Sequence, residues 1–196
     1  MATAIDMASN ALLLLGDNPI STLDGSEPGT GALVAANLYE ETYKAVLSSY
    51  PWSFALKELY LSRLSQTPDE KTYYQYAFQV PADNIRIWKV MSYNLYSVVG
   101  PYIYSNERSL LCRYIYKVDE TYLPASIVKA IEYKLAAEFA VPVTEDQNKA
   151  QFYEQKYLLQ VAQAQTIDSQ SEPQKSIIDR PFIDVRLSGS SYAYWG

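Results

Sequence analysis

The spacing of apolar residues changes twice along this chain, and this constrains the fold more than any other sequence feature. Before Trp52 the apolar residues follow helical spacing, as in Tyr39, Tyr43 and Val46. From Trp52 to Pro124 they form short runs rich in Tyr, Ile and Val, and helical spacing then returns. A helix repeats every 3.6 residues and a strand every 2, so the sequence predicts helices at both ends and strands between them.

Two helices are expected on each side of the strand-rich region. Gly16 and Pro51 are the stop signals of the first two, and Pro142 is that of the third. Thr144 and Gln147 have the spacing of a capping box at the start of the fourth. The predicted helices span residues 2–15, 31–49, 127–140 and 145–165.

The strand-rich region predicts a small antiparallel sheet of four or five strands. Its runs are rich in β-branched and aromatic residues and are separated by polar turns, and Asn106 is expected at a hairpin tip. An extended stretch from Trp52 to Leu64 precedes them. The predicted strands cover residues 73–80, 85–92, 95–99 and 110–118.

Together these elements predict an α+β protein made of an antiparallel helical bundle with a small inserted sheet. Residues 1–52 and 121–166 would form the bundle of four main helices, and residues 53–120 the inserted β-rich region. Residues 167–196 have no helical stripe, so an extended C-terminal arm is expected there.

Composition narrows the chemistry. Histidine is absent and Cys112 is the single cysteine, so one chain cannot build a Cys/His zinc site, and we predict no metal and no cofactor. No G-x-S-x-G nucleophile motif occurs. Paired carboxylates for sugar hydrolysis would have to come from a small set of acidic residues. These are Glu40, Glu41, Glu58, Asp119, Glu120 and Glu138.

Charge and tyrosine content point to contacts with proteins. The net charge is −6, with 16 basic against 22 acidic residues, which disfavours tight binding to DNA phosphates. The longest apolar run, residues 11–15, is far too short to span a bilayer, so stable membrane association is not expected. Tyrosine occurs 19 times, and tyrosine is enriched at protein interfaces.

Several stretches resemble one phage protein family. Residues 10–23 read NALLLLGDNPISTL, and residues 50–55 read YPWSFA. In their order and spacing, these two stretches and several shorter ones resemble tail tubular protein A, the head-to-tail adaptor family of T7-like short-tailed bacteriophages. The shorter ones are Ala35-Ala36-Asn37, Tyr43, Leu123-Pro124, Ala140-Val141-Pro142, Ala164 and Asp168-Ser169-Gln170. The resemblance covers most of the chain and is weakest across residues 66–120.

The resemblance implies a structural virion protein and not an enzyme. Members of this family form a ring, usually of twelve copies, that connects the portal protein to the tail nozzle protein of tail tubular protein B type. Such a ring surrounds the channel through which DNA passes without specific binding. The expected location is therefore the head–tail connector of a virion tail, after synthesis in the cytoplasm of the host bacterium.

The C-terminal arm is the predicted attachment to the portal. A free, solvated tail should be polar, but this one carries apolar and aromatic residues, with Tyr194 and Trp195 as the expected anchors. Two alternatives remain open: the arm folds back on its own subunit, or residues 183–187 add a strand to a neighbour's sheet. The candidate partner-binding residues are Phe182, Val185, Leu187, Tyr192, Tyr194 and Trp195.

Two other functions compete with the adaptor hypothesis. One is a virion-associated cell-wall-degrading enzyme, which would need two of the candidate carboxylates to face one groove. The other is an intracellular binding module with a peptide-like tail.

Overall fold

The structure, a computed structural model, describes residues 2–65 and 73–171. Within these ranges the chain forms four α-helices, seven β-strands and two short 3₁₀ helices, Ser53–Ala55 and Glu120–Tyr122. The α-helices are α1 Ala4–Leu15, α2 Thr30–Ser48, α3 Ala125–Thr144 and α4 Gln147–Ser171. The strands are β1 Leu56–Tyr60, β2 Ser62–Arg63, β3 Tyr76–Gln79, β4 Asn84–Met91, β5 Tyr96–Val99, β6 Tyr102–Ser105 and β7 Leu111–Tyr116.

The first two helices begin and end close to where the sequence predicts. Thr3 caps α1 by accepting the N–H of Asp6, whose carboxylate accepts the N–H of Thr3 in return (3.2 and 2.9 Å). Gly16 ends α1 in the left-handed conformation, with φ of 89°, as its place after the last apolar residue indicates.

The helices at the C-terminal end differ from the prediction. Pro142 does not end α3, because a proline in the last turn removes only one intrahelical donor, and the helix continues to Thr144. The predicted capping box at Thr144 is wrong: its hydroxyl donates to Ala140 O (2.7 Å). The carboxylate of Asp146 instead accepts the N–H groups of Asn148 and Lys149 (2.8 and 3.3 Å), which is the bonding of an N-cap residue.

The strands form two antiparallel sheets within the described residues. One sheet has the order β1-β7-β4 and the other the order β2-β3-β6-β5. Strand β6 was not predicted; it pairs with β5 through a turn in which Gly100 has φ of 56°, a conformation that favours glycine. Asn106 is not a hairpin tip, because β6 and β7, which it separates, belong to different sheets.

The prediction of a helical bundle with a small inserted sheet is wrong. The fold is α+β, but the two sheets make up a large part of the ordered core. Helix α3 packs against the other three helices, and this helical core also buries sheet-side residues such as Ile115 and Val118. The sheets bury a second core of their own, formed by Leu61, Phe78, Val80, Val90, Ile103, Leu110, Cys112 and Tyr114.

Strand β7 joins the two cores. Side chains alternate along a strand, so Cys112 and Tyr114 face the second core while Ile115 faces the helices. The hydroxyl of Tyr43 on α2 donates to Val118 O (2.7 Å) just beyond β7, where both residues are buried. The sheets are therefore a second layer fused to the helices.

Candidate assembly surface

The predicted partner-binding residues of the arm lie outside the described residues, because the description of the chain ends at Ser171. This applies to Phe182, Val185, Leu187, Tyr192, Tyr194 and Trp195. The structure describes the chain from Gln147 up to this point as helix. Residues 167–171, which the sequence suggested as the first part of an extended arm, belong to α4.

The last turns of α4 are fixed to the segment that links α2 to β1. Ser53 donates to the carboxylate of Asp168 through its backbone N–H (3.0 Å) and its hydroxyl (2.6 Å). The hydroxyls of Tyr50 and Ser169 lie 3.2 Å apart. A carboxylate near a helix C-terminus is disfavoured by the helix dipole, so these bonds to Asp168 account for a helix longer than its apolar stripe predicts.

This contact brings together two of the stretches on which the family resemblance rests. Residues 50–55 carry the Pro-Trp-x-Phe-Ala sequence, and Asp168-Ser169 stands more than a hundred residues later. Trp52, within the first stretch, is fully buried in the helical core. Beside it a shallow cleft of about 170 Å³ is lined by Phe54, Ile127, Ile167 and other residues.

Three connections meet at the far end of the sheets, away from the helices. The carboxylate of Glu107 accepts the backbone N–H groups of Tyr93 and Asn94 (3.1 and 3.2 Å). The side-chain oxygen of Asn106 accepts the N–H of Gln75 (2.8 Å). These bonds join the connection from β4 to β5, the connection from β6 to β7, and the residues just before β3.

This far end, here called the tip, exposes apolar and aromatic side chains. Tyr93 is fully exposed, and Leu95 and Tyr73 are 84% and 87% exposed. Strand pairing places Tyr60 and Met91 at the same end, because both pair with Leu111. Apolar side chains concentrated in this way on one end of a protein are typical of an interaction surface. The tip residues are Tyr60, Tyr73, Met91, Tyr93, Leu95 and Tyr96.

The sequence analysis did not identify the tip. Its signal is Ser92-Tyr93-Asn94-Leu95, a turn between two strands that carries Tyr and Leu among the usual polar turn residues. That signal marks an exposed turn, but it does not show that Tyr60 and Tyr73 lie at the same end of the sheets.

Tyrosines elsewhere are part of the core. Tyr39 and Tyr43 stack with ring centroids 5.9 Å apart, and burial raises the pKa of both phenols well above the ordinary value. Burial, together with a hydrogen bond to Asp83, raises the pKa of Tyr114 to about 12. The tyrosine excess thus has two roles, in the core and on the surface.

Most of the candidate catalytic carboxylates are engaged in ordinary surface contacts. Glu40 bonds to Lys117 and Lys44 (2.8 and 2.9 Å). Burial alone would raise the pKa of Glu40, but the hydrogen bonds from these lysines outweigh burial and lower it. Hydrogen bonds from Thr121 lower the pKa of Asp119.

Three of the other four candidates also have a bonding partner. Glu58 pairs with Arg113 (2.6 Å) and Glu138 with Lys134 (3.1 Å). Glu120 accepts a long hydrogen bond of 3.5 Å from the hydroxyl of Tyr39, and Glu41 is exposed on α2. A general acid in a glycosidase needs a raised pKa. Among the described carboxylates, every shift that is resolved is downward; these are at Asp6, Asp24, Glu27, Glu40, Asp83 and Asp119.

Metal and membrane signals are also absent from the part of the chain that the structure describes. No group of three or more Cys, Asp or Glu residues there could hold a metal ion. None of the helices there is both long and apolar enough to cross a bilayer. Cys112 is buried, and burial raises the pKa of its thiol to about 11. Comparison with known proteins gives no assignment, since no family model and no curated protein matches the chain.

Proposed function

We propose that this chain is a structural subunit of a head-to-tail adaptor ring in a short-tailed bacteriophage. In this proposal it has no catalytic role, and about twelve copies surround the DNA channel between the portal protein and the tail nozzle protein. The observation that carries the proposal is the tip, where exposed aromatic and aliphatic side chains lie at the end of the sheets farthest from the helices.

The positions of the tip and of the α4 terminus suit a protein that joins two others. Leu56, at the start of β1, is close along the chain to the Ser53–Asp168 contact, whereas Tyr60, at the end of β1, belongs to the tip. The arm that follows Ser171 and the tip therefore start from opposite ends of the sheets. In the proposal the arm, with Tyr194 and Trp195 as anchors, binds the portal, and the tip binds the nozzle protein.

The family resemblance supports the same function. Its stretches at residues 50–55 and 168–170 are in contact in the folded chain, so they describe one three-dimensional unit. The negative charge of each copy also suits a channel past which DNA slides without being held.

Binding to the two partner proteins of the same phage tests the proposal. The double substitution Tyr93→Ser and Leu95→Ser should weaken binding to the nozzle protein at least tenfold and leave binding to the portal unchanged. Deletion of residues 177–196 should weaken binding to the portal protein and leave binding to the nozzle protein unchanged. It should also leave the described fold intact, as circular dichroism would show. Tyr122→Ser, at a tyrosine that is 76% exposed but lies outside the tip, is the matched control. A full-length protein that binds neither partner would refute the proposal.

A further inference from the structure

Four strands lie at the edges of the two sheets within the described residues, and three of them carry features that oppose pairing with another chain. Strand β1 has Lys57 and Glu58, and β2 is only two residues long. Strand β4 has Arg86 and Lys89, and its pairing with β7 is interrupted by two register shifts. Charges, bulges and short length are the usual means by which edge strands avoid unwanted pairing.

Strand β5 is twice as long as β2, at four residues, and has neither a charged side chain nor a register shift. It reads Tyr96-Ser97-Val98-Val99, with no charge and no proline, and among the described strands it pairs only with β6. Tyr96, Val98 and Val99 are 44%, 45% and 42% exposed, so both faces of the strand offer apolar side chains. The backbone groups that face away from β6 are placed to bond with an additional strand.

The chain itself contains a segment suited to that edge. Residues 183–187 read Ile-Asp-Val-Arg-Leu, which alternates apolar and charged side chains as a strand with one buried face does. The two charges have opposite signs, so the segment brings no net charge to an uncharged edge. Fully extended, the chain from Ser171 to Ile183 reaches at most about 40 Å, which is enough to leave its own subunit.

We infer that residues 183–187 of one copy add as a strand to the β5 edge of the neighbouring copy, an inference that rests on the proposed ring. A strand donated by one copy to an edge of the next is a contact between two unlike surfaces. Repeated contacts of this kind close into a ring where the rotations from copy to copy add up to one full turn. The strand fills the unprotected edge of each subunit. Tyr192, Tyr194 and Trp195 lie beyond it in sequence and remain available for the portal.

Cross-linking of the full chain tests the inference. One protein carries Val98→Cys and a second carries Val185→Cys, and the two are mixed in equal amounts. A short bis-maleimide is then added. It can bridge cysteines on opposite or diagonal residues of paired strands, which lie about 5 and 8 Å apart. The native Cys112 is buried with its pKa raised to about 11, so it reacts little, and the unsubstituted protein measures this background. We expect a covalent dimer at least ten times more abundant than in a control mixture of Tyr122→Cys with Val185→Cys.

Each other outcome overturns the inference. A dimer equally abundant in the control mixture would mean random collision, and the absence of a dimer would mean that the strand does not add to β5. A protein that carries both Val98→Cys and Val185→Cys, and is cross-linked only within single chains, would show that the arm folds back on its own subunit.

A second pair of variants separates failure of this inference from failure of the proposed function. Val98→Lys puts a charge on the edge and should lower the assembled mass in sedimentation, whereas Val98→Thr should preserve it. If Val98→Lys assembles normally while deletion of residues 177–196 still abolishes portal binding, only the strand addition is refuted. If the deletion also leaves portal binding intact, the portal contact in the proposed function is refuted as well.

Discussion

The hydroxyl of Ser53 lies 2.6 Å from the carboxylate of Asp168, and this contact joins the end of α4 to the segment that leads into β1. The backbone N–H of Ser53 donates to the same carboxylate (3.0 Å). Ser53 is exposed and Asp168 is half-buried, so the contact fixes the end of α4 more than it stabilises the whole fold.

The Ser53–Asp168 contact should be measurable as a coupling energy. We expect Ser53→Ala and Asp168→Ala together to destabilise the protein by about 1 kcal/mol less than the sum of the single effects, because each removes the same hydrogen bond. Urea unfolding measures the three variants. Ser53→Ala combined with Tyr93→Ala at the tip is the control and should be additive. Additive effects of Ser53→Ala and Asp168→Ala would contradict the coupling.

The bond between Tyr43 and Val118 should contribute to global stability. Tyr43→Phe keeps the buried ring but leaves the carbonyl of Val118 without its donor, and we expect a loss of about 1–3 kcal/mol in urea unfolding. Tyr122→Phe, at an exposed ring, should change stability by less than about 0.5 kcal/mol. Equal effects of the two substitutions would show that the buried hydroxyl does not join α2 to the sheet.

The ion pair between Asp83 and Lys57 should make stability depend on pH in the acid range. A hydrogen bond from Lys57 (2.7 Å), with a second from the hydroxyl of Tyr114 (3.0 Å), lowers the pKa of Asp83. A lowered pKa in the folded state means that the stabilisation is present above the ordinary pKa of about 4 and is lost as the pH falls through the lower, folded value.

Substitution of Asp83 should therefore matter less in acid. The difference in Tm between the parent protein and Asp83→Asn should be largest near neutral pH and should narrow towards about pH 3. Lys57→Gln should show the same narrowing, since it removes the other partner. A Tm difference that stays constant over this range would mean that Asp83 titrates alike in the folded and unfolded chain.

The acidic balance of the chain should keep it from holding DNA. In the proposed ring, twelve copies with a net charge of −6 each would carry about −72, so few counterions would be released when duplex DNA approaches. Fluorescence anisotropy with a labelled duplex should show no binding at ~0.15 M salt. Tight binding that weakens steeply as salt is added would indicate a nucleic-acid-binding role instead.

Local signals in the sequence determined the helices and most of the strands. The apolar stripe with Tyr39, Tyr43 and Val46 predicts α2 within one residue at each end, because it reports the face that must be buried. Alternation and β-branched content predict β3, β4, β5 and β7, although β6 was missed. For the candidate surface, the sequence indicated an excess of interface residues and an apolar arm, and the arm residues stay a prediction.

Only the tertiary structure decided how the strands pair and where the exposed side chains meet. Periodicity records which face of a strand is buried but not which strand lies beside it. One sheet of four or five strands and two sheets of three and four strands therefore fit the same pattern. Strand β7 is hydrogen-bonded to β1 on one side and to β4 on the other. These strands precede it by more than fifty and about twenty residues, and no local signal in the sequence specifies the pairing. The tip exists because Glu107 and Asn106 accept backbone N–H groups from distant segments, and such contacts form only once the chain has folded.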